Sequence, residues 1–85
     1  MMLTKAEREA VVAEIETVVA DTIPSEFNFT IEYVVGFMAR PFCRVEIILG
    51  LRYVPIRFYK EHPDLVKDQV GVAVNVLLNE LKEDE

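Results

Sequence analysis

Apolar positions between Val11 and Thr22 recur at helical spacing. At about 100° per residue, Val11, Val12, Ile15, Val18, Val19 and Thr22 fall on one side, and Glu9, Ala13, Glu16 and Ala20 fall opposite. Thr4-Lys5-Ala6-Glu7 has the form of a capping box, in which the threonine hydroxyl and the glutamate carboxylate satisfy the first free amides, so the helix starts there. Its many β-branched residues lower intrinsic propensity, and its stability must come from docking the apolar stripe. Pro24 disfavours helical geometry at Ile23 and ends it.

The period then changes to two. Phe27, Phe29, Ile31, Tyr33 and Val35 alternate with Asn28, Thr30, Glu32 and Val34, which predicts a half-buried strand. Gly36 and Ala39-Arg40-Pro41 interrupt it, as a bulge plus turn or as a longer loop. A second strand is expected from about Phe42 to Leu49, with Cys43, Val45, Ile47 and Leu49 on one face, and Gly50 marks the next turn. In a third, from about Arg52 to Tyr59, Val54, Ile56 and Phe58 oppose Tyr53, Pro55, Arg57 and Tyr59. Pro55 lacks an amide hydrogen and so argues for an edge strand.

His62-Pro63-Asp64 opens the last element, with proline suited to a first helical turn and the aspartate to the positive helix end. A helix from about Pro63 to Leu81 puts Val66, Val70, Ala73, Val74, Leu77 and Leu81 on its core stripe. Leu65, Val72 and Val76 lie beside that stripe and widen the apolar face, while Lys82-Glu83-Asp84-Glu85 reads as a frayed, solvated tail. The resulting class is α+β. The arrangement expected is a two-layer α-β-β-β-α fold, a three-stranded antiparallel meander with both helices on one face.

With 85 residues, 52% hydrophobic and 28% charged, the chain fits one domain spanning residues 1–85. A domain this small buries only about 60–65% of its unfolded surface, which favours a homo-oligomer or a partner. Cys43 is the only cysteine, so the chain forms no internal disulfide. The charged N-terminal stretch after Leu3 lacks the apolar run of a signal peptide or membrane span, so a cytoplasmic setting without membrane contact is expected.

The net charge of −6 is unevenly spread. Residues 1–39 and 61–85 each carry two basic and seven acidic side chains, or −5 apiece. Between them, Arg40, Arg44, Arg52, Arg57 and Lys60 outnumber Glu46 alone, giving +4.

Candidate chemistry is sparse, and no enzyme, metal or cofactor is expected. His62 is the only histidine, and its place before Pro63-Asp64 is that of a helix-boundary residue. Cys43 alternates with core positions, where a buried thiol is a poor nucleophile. Ser25 is the only serine and has no glycine-rich elbow; Gly36, Gly50 and Gly71 are too dispersed to cradle a phosphate.

What rises above this background is the sheet face that the helices leave open. Alternation gives it Asn28, Thr30, Glu32 and Val34, then Phe42, Arg44, Glu46 and Ile48, then Tyr53, Pro55, Arg57 and Tyr59. Aromatic residues and arginines are the types enriched at the energetic centres of interfaces. A non-enzymatic protein-binding module is therefore expected: an adapter, an inhibitor or a small subunit of a larger assembly. Phe42, Arg44, Ile48, Tyr53, Arg57 and Tyr59 form its binding surface, and Leu65, Val72 and Val76 a self-association contact. The competing, simpler reading is that Arg44 and Arg57 pair across strands with Glu32 and Glu46 on a wet surface.

Two alternatives involve nucleic acid. The Arg40 to Lys60 segment combines positive charge with Tyr53, Phe58 and Tyr59, as phosphate neutralisation and base stacking require. The element order also resembles that of double-stranded RNA-binding domains. Those domains need a lysine cluster at the start of the last helix, where this chain has His62-Pro63-Asp64-Leu65-Val66-Lys67-Asp68, so the resemblance is confined to topology. Conversely, the acidic ends could imitate nucleic acid and block a basic site, although the carboxylates are sparser than such mimicry demands.

Overall fold

A computed structural model describes residues 4–36, 40–59 and 62–83. The order is α1 (Lys5–Thr22), β1 (Asn28–Val34), β2 (Phe42–Leu49), β3 (Arg52–Phe58) and α2 (Pro63–Glu83), an α+β fold. The capping box forms as expected. Thr4 Oγ1 accepts from the Glu7 amide at 3.2 Å, and Glu7 Oε1 accepts from the Thr4 amide at 3.1 Å. At the other end Ile23 is already extended, with ψ 141°, ahead of Pro24.

The three strands form an antiparallel sheet in the order β1-β2-β3. Its register aligns Ile31, Val45 and Ile56 across one face. That face meets both helices: Cys43, Val45, Ile47, Ile56 and Phe58 share one core with Ile15 and Val19 of α1 and Val66, Val70 and Leu77 of α2. The alternation thus sorts the side chains as the sequence predicts, with the helices covering one side only.

Leu49 pairs with Arg52, leaving Gly50 and Leu51 as a two-residue hairpin loop, and Gly50 supplies the positive φ of 64° that the loop needs. In such a hairpin the closing pair is hydrogen-bonded. Alternation then makes Pro55 and Glu46 a non-hydrogen-bonded pair, so the missing Pro55 amide hydrogen faces the free edge and costs no ladder bond. It also blunts that edge against strand addition.

Four expectations about boundaries need correction. Val35 is exposed because β1 ends at Val34 and nothing continues the sheet beneath it. Tyr59 follows β3, which ends at Phe58. Leu81, expected in the core stripe, is 47% exposed: α2 outruns the sheet, whose β2–β3 hairpin turns at Gly50 and Leu51. Lys82 and Glu83 are helical, because no proline or glycine stops α2 and a lysine in the last turn suits the negative helix end. The conformation of the Gly36 to Pro41 stretch falls largely on residues 37–39, outside the described residues, as do Lys60 and residues 84–85 of the tail.

Candidate binding site on the open sheet face

β1 contributes Glu32, β2 contributes Phe42, Arg44, Glu46 and Ile48, and β3 contributes Tyr53, Pro55 and Arg57 to the face opposite the helices. The six residues expected to bind a partner divide into two groups along it. At one end Ile48 is half-buried opposite Tyr53, which is 59% exposed. At the other end Phe42, Arg57 and Tyr59 are in contact, with Arg44 directly opposite Arg57. Between the groups lie Glu46 and Pro55, with Thr30 donating a hydrogen bond of 3.4 Å to Glu46.

The Phe42 end is built from contacts between aromatic rings and guanidinium groups. The Phe42 and Tyr59 rings lie 5.8 Å apart at an interplanar angle of 54°. The Arg57 guanidinium sits 4.9 Å over the Phe42 ring, and that of Arg40 sits 4.9 Å over Tyr59. Arg40 was missing from the expected face. A signal for it existed: continuing the alternation of Phe42 and Arg44 back across Pro41 places Arg40 on the same side.

The simpler cross-strand pairing is half realised. Arg44 pairs with Glu32, but Arg57 faces Arg44 rather than a carboxylate, and Glu46 faces Pro55. Neither Arg40 nor Arg57 has a carboxylate partner among the described residues. The helix layer has the opposite character, with Glu9, Glu14, Glu16 and Asp21 exposed on α1 and Asp64 and Asp68 on α2.

A second surface flanks the β3 edge. Leu65, Val72 and Val76 are all exposed, Val72 at 60%, and they line one groove of about 330 Å³ with Pro55 and Arg57. This groove unites the three residues expected to make a self-association contact. At the far end of α2, Leu51 is fully exposed at the hairpin tip, beside Leu49, Leu77 and Leu81. Leu51 has no strand or helix periodicity to mark it, because the Gly50 turn separates it from the alternation on either side.

Cys43 is buried in the core, and burial pushes its thiol up from the ordinary 9.0 to about 11. Thiolate chemistry is suppressed on both counts, so a thiol reagent should label the folded protein far more slowly than the unfolded chain at pH 8. Rapid stoichiometric labelling of folded protein would mean that the strand register is wrong. The raised folded-state value also fixes a sign: the thiol's contribution to stability is present below about pH 9 and is lost as pH rises towards 11.

His62 is exposed and precedes α2, with its carbonyl accepting from the Val66 amide at 2.9 Å, which is a helix-boundary role. Among the described residues no three His, Cys, Asp or Glu side chains gather as metal ligands, and no helix is long and apolar enough to cross a membrane. Comparison with protein families, with curated proteins and with solved structures finds no match.

Proposed function

We propose that the chain is a non-enzymatic protein-binding module, an adapter, inhibitor or small subunit that works as a homo-oligomer in the cytoplasm and engages its partner through the open sheet face. The observation that carries this reading is the contact set of Phe42, Tyr59, Arg57 and Arg40 on a face that no helix covers. Arginines and aromatics in mutual contact offer large contact area, and those contacts already restrict part of the side-chain freedom that binding would otherwise have to remove. The exposed Leu65, Val72 and Val76 beside the Pro55 edge favour self-association through side chains rather than through strand addition.

The test compares Arg57→Glu and Tyr59→Ala with the helix variant Glu16→Ala in a quantitative binding assay. Weakened association in the two sheet variants alone is the expected result.

A further inference from the structure

We infer that the Phe42 end of the open face takes an acidic protein segment, an extended stretch with carboxylates at alternate positions. The inference rests on reading that face as the binding surface. Its first ground is an unfavourable pairing: Arg44 and Arg57 stand directly opposite each other on β2 and β3, where like charges repel. Glu32 offsets one of them. Arg40 adds a further positive charge at the same end, where Glu32 pairs with Arg44 alone, so positive charge is in excess there. An incoming carboxylate pair would relieve that imbalance.

The second ground is placement. The guanidinium carbons of Arg57 and Arg40 lie 4.9 Å from the Phe42 and Tyr59 ring centroids, and neither group has a carboxylate partner among the described residues, so both can donate to an incoming carboxylate. Carboxylates at alternate positions of an extended segment point to one side roughly 6.8 Å apart, so one short segment can present two of them to the arginines at this end.

Nucleic acid fits the same charges less well. Glu32 and Glu46 interrupt the face, which leaves room for few phosphate contacts and hence weak binding, since affinity grows with the number of phosphates neutralised. The net charge of −6 opposes a polyanion at long range, whereas a short acidic segment meets only the local arginines.

The experiment titrates the isotopically labelled protein at low salt with three probes while following backbone amide shifts. The probes are a short peptide with glutamates at alternate positions, its twin with glutamines there, and a short single-stranded DNA. The glutamate peptide should shift the Arg44, Arg57 and Tyr59 amides, and the glutamine twin should not. Arg57→Gln should weaken the glutamate peptide about tenfold or more, whereas Lys67→Gln, which removes the same charge from α2, should change it less than twofold.

Equal binding of both peptides at these amides would overturn the acidic specificity and leave the open face standing as a binding surface. Failure of the glutamate peptide to bind there would overturn the inference, and the partner-binding test of the sheet variants would then decide the wider reading separately. Tighter binding of the DNA at the same amides would overturn it in favour of nucleic acid.

Discussion

Leu77→Ala is expected to lower stability by about 2–5 kcal/mol, which a shift of the urea unfolding midpoint at unchanged slope would measure. Leu77 is fully buried in α2, within the core that also holds Ile47, Val45 and Val70. Removing its branched end there leaves a cavity that the surrounding core can close only in part. A domain of this size holds roughly 4–13 kcal/mol in all, so the loss is a large fraction of the total. Leu51→Ala makes the same chemical deletion at the exposed hairpin tip and should change stability by less than about 0.5 kcal/mol. Similar losses for the two would mean that the core is misplaced.

Under the proposed self-association through this stripe, the double variant Val72→Glu/Val76→Glu is expected to have a lower solution mass than the parent while its unfolding midpoint changes little. Both valines are exposed on α2, whereas their neighbours Ala73, Val74 and Leu77 are buried. Two carboxylates introduced on this stripe would have to lose water at a contact between copies, and they would repel their counterparts across it. Global unfolding would instead show that the valines belong to the main core. An unchanged mass would place self-association elsewhere or nowhere.

Much of this architecture can be read from local patterns, because the forces that set them are local. Thr4 and Glu7 announce a helix start through hydrogen bonds spanning three residues, and the alternation from Phe42 to Leu49 assigns faces without reference to any other strand. Pro55 identifies the edge because a missing donor is tolerated only where no strand follows. What local pattern cannot supply is where one element stops relative to another. Leu81 has the right helical phase for the core, yet the sheet has ended beneath it; Val35 has the right strand phase, yet β1 has ended before it.

The site was legible in part for the same reason. Period two put Phe42, Arg44, Arg57 and Tyr59 on one face, but which of them touch depends on cross-strand register. Register set Arg57 opposite Arg44 and over Phe42, where charge alone suggested a glutamate partner. Arg40, just before β2, enters through a contact with the ring of Tyr59, just after β3, between residues nineteen positions apart in sequence. Leu65, Val72 and Val76 were recognisable as a second stripe by spacing, and their meeting with Pro55 in one groove follows from α2 lying along the β3 edge.

The affinity of the face variants, measured by titration against the partner, whether a second copy or a captured protein, tests the open face most directly. Arg57 and Tyr59 are exposed and outside the core cluster, so Arg57→Glu and Tyr59→Ala should unfold at nearly the parental urea concentration. Each should nevertheless weaken binding by about 2 kcal/mol or more, roughly a thirtyfold rise in Kd, with Glu16→Ala indistinguishable from the parent. If both sheet variants fold and bind with the parental Kd, the open face is not the binding surface, and the Leu65, Val72 and Val76 stripe of α2 takes its place.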